Sequence, residues 1–350
     1  MAVFEKIHAD NYEQIVFCHD ARIGLKAIIA LHNTALGPAT GGCRMWNYRS
    51  EEEALTDVLR LSKGMTYKNS ISNLSLGGGK SIIIGDASQK TPALLKRFGE
   101  FVETLGGRYI TAKDVGIDSN DLKTIKSKTS HILGIAGEAS SSGDPSPVTA
   151  WGVYNGMIAC AEKAFGSKSL KGLSVALQGL GAVNYGLLKY LAQEGAKVTA
   201  CDISAPAVEK AVKEFGVTAA SPEAIYDVPC DIFSPGALGA ILNPETIPRL
   251  KCKVIAGAAN NQLATEKDGE ALLQRGILYA PDFAINAGGV INIAHEREGY
   301  DRDKAYAHVA RIYDTIKNIL EVSSGDRLPT NVVANRIAEN RVKEAERARH

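Results

Sequence analysis

The sequence has almost no charge imbalance: 40 basic residues against 39 acidic ones leave a formal net charge of +1. Without a strong field of one sign there is little to attract nucleic acid or an anionic membrane surface, and neither is expected as a partner. No stretch approaches the roughly 20 apolar residues that span a bilayer. Residues 1–6 carry Glu5 and have no apolar run behind them, so they do not read as a signal peptide. Cysteine is scarce and unpatterned. Cys18, Cys43, Cys160, Cys201, Cys230 and Cys252 never fall into a CxxC spacing and form no Cys/His group, so no metal site and no disulfide framework is expected. Buried free thiols in a reducing cytoplasm are the expectation. Internal repeats and low-complexity segments are also lacking.

What is there suits a globular chain with large cores. Of 350 residues, 45% are hydrophobic and 23% charged, enough for two domains of ordinary size. Residues 13–18 and 24–32 read as buried strands. Ser50 followed by Glu53 reads as a capping box opening a helix to Lys63, with Leu55, Val58, Leu59 and Leu61 at helical spacing. A strand is expected at 81–84, a helix at 92–105, a strand at 108–111 and a helix from Ser119, with Asp121 in its first turn. Residues 137–147 are rich in Gly, Ser and Pro and read as a linker. After a helix over 148–165 the pattern becomes regular. Strands at 173–178, 197–201, 230–233 and 253–256, with helices at 182–193 and 205–214, mark a parallel sheet with crossover helices. The tail, 302–320 and 329–348, reads as charged helix.

The first strand of that alternation ends in QGLGAVN (178–184). Gly179 permits a tight turn, and Gly181 lets the backbone approach a pyrophosphate at the helix N-terminus. Asn184 stands where a third fingerprint glycine would be, so the helix is expected to sit slightly further from the sheet. An imperfect GxGxxG is a weak signal alone. The next strand ends at Asp202, where a carboxylate can accept from ribose hydroxyls and repel a 2′-phosphate, which favours NAD over NADP.

Lys68 lies twelve residues before Lys80, and Lys80 follows three glycines in LGGGK (76–80). The glycines allow close approach to a ligand and present the ammonium in a cleft. The segment is no P-loop, because the GxxxxGK[ST] spacing fails. One lysine can hold a substrate carboxylate. The other, desolvated beside a like charge, is expected to lean towards its neutral form and act as acid or base. Asp114, at the end of a strand and near Gly116, reads either as a catalytic base or as a helix cap.

These residues resemble the glutamate/leucine/phenylalanine/valine dehydrogenase family, most closely its leucine branch, over nearly the whole chain. The stretches that carry the resemblance are LGPATGGCRMW (36–46), GMTYKNS (64–70), LGGGK (76–80), GRYITAKDVG (107–116), GDPSPVTAWGVY (143–154), QGLGAV (178–183), GAANNQL (257–263) and YAPDFAINAGGVIN (279–292). The Gly-rich lysine and NAGG segments are specific to the family; the dinucleotide turn is not. The resemblance implies an α/β fold of two domains separated by a cleft: a catalytic and oligomerisation domain over 1–136, to which the last helix, about 330–350, returns, and a Rossmann-type NAD domain over 145–329. It implies that Lys80 and Asp114 are catalytic and that Lys68 binds the substrate α-carboxylate. Gly41, Met65, Thr40, Ala112, Asn261, Val290 and Ile293 would line the substrate site, the last two from the NAD domain. Gly179, Gly181, Ala182, Val183, Asp202, Thr149, Ala237 and Asn260 would hold NAD.

The activity implied is reversible oxidative deamination of a branched-chain L-amino acid to a 2-oxo acid, ammonia and NADH, by a cytoplasmic homo-oligomer, an octamer or smaller. A phenylalanine dehydrogenase and a non-catalytic NAD-binding protein are the alternatives. A glutamate dehydrogenase would need a further cation in the pocket wall, which Thr40, Ala112, Val290 and Ile293 do not supply. Four positions depart from the leucine branch: Thr40 for Leu, Lys113 for Glu, Gly236 for Cys and Ile293 for Val. The first bears on substrate choice, the second on the pH profile, the third on the loop over the cofactor and the last on pocket volume.

Overall fold

The computed structural model describes residues 3–137 and 141–349. The chain falls into two units: Met1–Gly143 with Ile293–Tyr300 and Ala338–His350, and Asp144–Asn292 with Asp301–Ile337.

The first unit begins α1 (Val3–Ala9), β1 (Gln14–Asp20), β2 (Leu25–Asn33), β3 (Ala39–Trp46), α2 (Glu51–Ile71) and β4 (Gly77–Ile84). It continues α3 (Pro92–Glu103), β5 (Tyr109–Lys113) and α4 (Ser119–Lys126). Its sheet has the order β1-β2-β4-β3-β5. The pairs β1–β2 and β2–β4 are antiparallel, whereas β3 is parallel to both β4 and β5. Both faces are covered. Ile28, Ala30 and Ile82 pack against Ala54, Leu55, Val58 and Leu59 of α2. The alternating residues Ala27, Ile29, Leu31 and Ile83 pack against Leu94, Phe98 and Val102 of α3 and Leu122 and Ile125 of α4. A strand buried on both faces reads as a continuous apolar run, which is why β2 is legible.

Four features here extend the expectation or differ from it. The helix expected to end at Lys63 runs on to Ile71, because buried Ser62, Thr66, Asn69 and Ser70 continue its core stripe past Gly64. The segment around Gly41 and Gly42, for which no element was expected, is a strand, β3, between β4 and β5. The glycines before Lys80 belong to β4 and do not form a loop. At Gly78 a Cβ would lie 2.5 Å from Thr66 Cα, so this glycine lets α2 lie directly on β4. The capping box is half made: Ser50 accepts from the Glu53 N–H, but the Glu53 carboxylate accepts from Arg49 N–H. At α4 both halves are present, between Asp118 and Asp121.

Thr66 also lies against buried His32, with Oγ1 2.8 Å from Nδ1. Burial first, then the Lys63 charge, lowers the His32 imidazole from 6.5 to about 4. The fold therefore prefers the neutral ring. Its contribution is complete above the unfolded value near 6.5 and is lost as pH falls through about 4. Unfolding free energies from denaturant curves measured between neutral pH and about 4 should fall by up to ~3 kcal/mol more for the wild type than for His32→Gln. Parallel acid profiles for the two proteins would contradict this.

The second unit contains α5 (Ser146–Phe165), β6 (Ser174–Gln178), α6 (Ala182–Glu194), β7 (Lys197–Cys201), α7 (Ala205–Phe215), β8 (Thr218–Ala219), β9 (Ile232–Pro235) and β10 (Val254–Ile255). After these come α8 (Lys267–Gln274), β11 (Leu278–Tyr279), α9 (Asp282–Ile285), α10 (Gly288–Ala294), α11 (Arg302–Ala310), α12 (Ile312–Asp326) and α13 (Thr330–Arg349), of which the end of α10 from Ile293 and the part of α13 from Ala338 belong to the first unit. The sheet order is β11-β10-β9-β6-β7-β8, and every pairing is parallel. From central β6 the chain moves first to β7 and β8 and then returns to β9 on the other side. That reversal is the switch point of a doubly wound sheet, where ligands bind beyond the strands' carboxyl ends. The tail expected as one helix over 302–320 is two, α11 and α12, meeting at Arg311. Of the expected linker over 137–147, residues 138–140 lie outside the described residues, and α5 already begins at Ser146. No helix among the described residues is long and apolar enough to cross a membrane.

Candidate active site

Lys80 sits in β4 opposite Ala30, on the face that α2 covers. Its side chain is buried, and its Nζ lies 2.9 Å from Asp114 Oδ2, immediately after β5. Arg44, in β3 between them, donates from Nε to the same carboxylate oxygen at 3.0 Å. Three neighbouring strands thus converge on one carboxylate. The glycines of β3 make this possible. A Cβ at Gly42 would lie 2.9 Å from Asp114 Cβ, and one at Gly41 would lie 3.2 Å from Met65 Cγ and overlap the Gly79 carbonyl. Met65 and Lys68 stand three residues apart on α2 and so share one side of it. Lys68 is half-buried in the last turn, where the negative end of the helix dipole favours a cation.

Burial pushes the Asp114 carboxyl up, but Lys80 and Arg44 more than offset this and hold it below the ordinary carboxylate range. Asp114 is therefore an anion throughout the neutral region. This revises the expectation for Lys80, whose resolved ionic partner is a carboxylate and not a second ammonium. Arg44 was not singled out from the sequence, yet it bridges two acids: its NH1 donates to Asp57 Oδ2 at 2.9 Å. Asp57 also accepts from the Tyr48 hydroxyl at 2.7 Å and from Arg60 at 2.8 Å. Burial works against the Arg44 charge, but Asp114 and Asp57 keep it firmly protonated. The signal in the sequence was a lone arginine inside the apolar and glycine run TGGCRMW, since a partly buried charge in a strand needs a partner.

The other residues expected to line the substrate site fall in different units. Thr40 and Ala112 are buried neighbours of the Gly41–Gly42 step, Thr40 paired with Gly78 and Ile110, and Ala112 with Gly42. The Thr40 hydroxyl donates to the Pro38 carbonyl at 3.2 Å. Ile293 belongs to the first unit and not to the NAD domain as expected. The reason is Glu296, whose carboxylate accepts from Gly134 N–H at 2.8 Å and Ser142 N–H at 2.7 Å and fixes 293–300 there. Val290 and Asn261 lie in the second unit. The exposed Lys113 side chain follows Ala112 on β5.

In the second unit, Gly179 has φ +86°, and a Cβ there would lie 2.9 Å from Ala237 Cβ, so glycine is required on both counts. Gly181 caps α6 with no side-chain bond, and nothing lies within 4 Å of where its Cβ would be. The cap thus gives no side-chain acceptor to the first backbone N–H groups of α6, those of Ala182 and Val183 among them. Asp202 Oδ2 accepts from Leu180 N–H at 2.6 Å and Oδ1 from Ser204 N–H at 2.8 Å, so this acid also pins the turn.

Asn184 does more than replace a glycine. Its buried Nδ2 donates to the Gly179 carbonyl at 2.8 Å and the Gln178 carbonyl at 3.2 Å. A Cβ at Gly236 would overlap the Asn184 amide, so the asparagine at 184 requires glycine at 236. Asn260 Oδ1 accepts from Asn286 at 2.8 Å, and the Asn261 carbonyl accepts from Ala240 N–H at 2.6 Å. Thr149, on α5, lies beside Gly288 and Gly289. The structure thus brings Gly179 and Ala237 together, and draws Asn260 and Asn261 to the loop that carries Ala237.

A carboxylate clamped by lysine and arginine in one α/β unit, and an uncapped helix N-terminus at the switch point of a parallel sheet in the other, describe a two-unit α/β oxidoreductase. Residues 12–131 match the Glu/Leu/Phe/Val dehydrogenase dimerisation domain, and residues 203–349 match the Glutamate/Leucine/Phenylalanine/Valine dehydrogenase model. The chain is 52% identical over 350 residues to a leucine dehydrogenase of Geobacillus stearothermophilus, covering 100% of this chain and 95% of that one. It is 46% identical to a phenylalanine dehydrogenase of Bacillus thermotolerans, covering 99% and 92%. The crystal structure of L-tryptophan dehydrogenase from Nostoc punctiforme superposes with a TM-score of 0.90 at 43% identity, covering 99% and 100%. The chain belongs to the Glu/Leu/Phe/Val dehydrogenase family and is an amino-acid dehydrogenase acting on CH–NH2 donors.

Proposed function

We propose that this enzyme catalyses the reversible, NAD-dependent oxidative deamination of branched-chain L-amino acids, leucine foremost with isoleucine and valine, to the 2-oxo acid and ammonia. The observation that carries the reading is the Lys80–Asp114 contact of 2.9 Å, in a chain half identical to a leucine dehydrogenase along its length. The Thr40 hydroxyl is satisfied by Pro38, so it places no polar demand on a substrate side chain. Thr40, Ala112, Val290 and Ile293 offer no cation for a side-chain carboxylate. Gly179, Gly181, Ala182, Val183, Ala237, Asn260, Thr149 and Asp202 are the residues we assign to NAD, whose pyrophosphate suits the open N-terminus of α6.

Bound there, NAD supplies the acceptor for the substrate hydride. Lys68 holds the α-carboxylate by charge, and Gly41 and Met65 shape the floor beside it. An amino acid enters with its amine protonated, and the Asp114 anion is the group placed to take that proton. Once Asp114 is neutral and the oxidised substrate is an iminium cation, Lys80 loses its counter-ion and faces a like charge. Both changes weaken its hold on its own proton, which it gives up to solvent. Lys80 can then accept a proton from water as the oxygen adds to the iminium carbon. Asp114 returns its proton to nitrogen, and as the C–N bond breaks the carbinolamine hydroxyl gives its proton to the departing ammonia. One water enters; 2-oxo acid, ammonium and one proton leave.

We assign the reaction to the cytoplasm, on the strength of six unpaired cysteines, and to a homo-oligomer, since the first matched model is a dimerisation domain. The test is stoichiometry and cofactor choice. Leucine with NAD should release one ammonia per cofactor reduced, and NADP should give at least about tenfold lower kcat/KM. Equal use of NADP, or cofactor reduction without ammonia, would overturn the assignment.

A further inference from the structure

Four of the six cysteines are buried; Cys230 and Cys252 are partly accessible. These two occupy neighbouring parallel segments. Pro229 bridges Lys251, and Ile232 pairs with Val254, so the register is the same on either side and Cys230 stands opposite Cys252. The Cys230 N–H donates to the Lys251 carbonyl at 3.3 Å. Partners in register project to the same face of a sheet. Parallel strands run about 4.8 Å apart, inside the roughly 4.4–6.8 Å Cα spacing over which a disulfide closes. Both side chains pack on one apolar group with Tyr226 and Val228.

We propose that Cys230 and Cys252 form a vicinal-dithiol modification site that reacts as a pair with small disulfides of the glutathione class. The two thiols are inequivalent. The Cys230 thiol donates to the Cys252 sulfur and holds Cys252 below the ordinary thiol range against the opposing effect of burial, while Cys230 itself is pushed up. Cys252 is therefore the attacking thiolate. It displaces one thiolate from the small disulfide and forms a mixed disulfide. Cys230 then gives up its proton, attacks the Cys252 sulfur and displaces the second thiolate. Two protein thiols become one disulfide, and one small disulfide becomes two thiols. Among the described residues no three His, Cys, Asp or Glu side chains group as metal ligands, so the pair has no third donor here. The site lies at the entry of β9 and β10. Gly236, which bonds the Gln178 carbonyl beside the cofactor turn, lies past the opposite end of β9. The site uses no residue of the proposed reaction.

The test is intact-protein mass after exposing the native enzyme to excess oxidised glutathione, quenching in acid and alkylating in denaturant. Four alkylated cysteines are expected, with no glutathione retained and a tryptic cross-link joining the Cys230 and Cys252 peptides. Cys230→Ser should instead keep one glutathione on Cys252, and Cys160→Ser should still form the bridge. Six alkylated cysteines, a different cross-linked pair, or a persistent glutathione adduct on the wild type would overturn the proposal. Leucine turnover should be unchanged in the bridged enzyme. An enzyme that bridges without ever turning over leucine would count against the proposed function and leave the dithiol standing.

Discussion

Lys80→Ala is expected to lower kcat by on the order of 10⁴-fold, with a much smaller change in substrate KM. The lysine is buried and its ammonium is 2.9 Å from Asp114. Arg44 also contacts Asp114, but a guanidinium keeps its proton at any working pH and cannot act as a base. The variant should still fold, because Arg44 remains to compensate the Asp114 charge. Lys68→Ala is the useful contrast. It removes the carboxylate anchor proposed on α2 and should raise KM strongly while leaving a measurable kcat. Steady-state kinetics on both variants checks the division of labour. A Lys80→Ala enzyme retaining more than about a tenth of wild-type kcat would show that the chemistry had been assigned to the wrong group.

Asp114→Asn is expected to cost about 10²- to 10⁴-fold in kcat/KM and to destabilise the protein as well. An amide cannot take the proton of an incoming ammonium substrate, so the neutral amine must come from solution. Activity in the variant should therefore rise steeply with pH, where the wild type shows a plateau. The wild-type acid limb should not be that of an ordinary carboxyl, because Lys80 and Arg44 hold Asp114 below its usual range. The sign for stability follows from the same shift. Folding favours the Asp114 anion, so its contribution is present above the unfolded carboxyl value near 3.9 and is lost only as pH falls further. The variant loses that contribution at neutral pH, because it leaves buried Lys80 and half-buried Arg44 facing a neutral group. Paired kcat/KM profiles and denaturant curves read both effects. Unchanged pH dependence in Asp114→Asn would place the amine's proton acceptor elsewhere.

Much of this was legible in the sequence, and the gaps have physical causes. The parallel sheet was readable because its strands and helices alternate and its turn ends in Gly179. The reasons for two glycine-rich stretches were not. No element was expected over 41–42 or 77–79, and only the packing of α2 on β4, and of β3 against Asp114, shows these glycines as strand positions where a Cβ cannot fit. Lys80 and Asp114 stood out as residue types in telling contexts, but their contact joins two strands that both flank β3. Arg44 was missed because its partners, Asp57 and Asp114, lie on separate elements. Asn184 and Gly236 looked like two independent departures. They are one, since the asparagine amide fills the space the glycine leaves. Ile293 was placed in the wrong unit because the bonds from Gly134 and Ser142 that hold Glu296 span more than 150 residues.

The most direct measurement is kcat/KM for leucine, isoleucine, valine and phenylalanine with NAD, followed through cofactor absorbance in wild type and Lys80→Ala. The account predicts that the three aliphatic substrates surpass phenylalanine and that all four signals collapse in the variant. A clearly higher kcat/KM for phenylalanine, or NAD reduction that survives without Lys80, would contradict it.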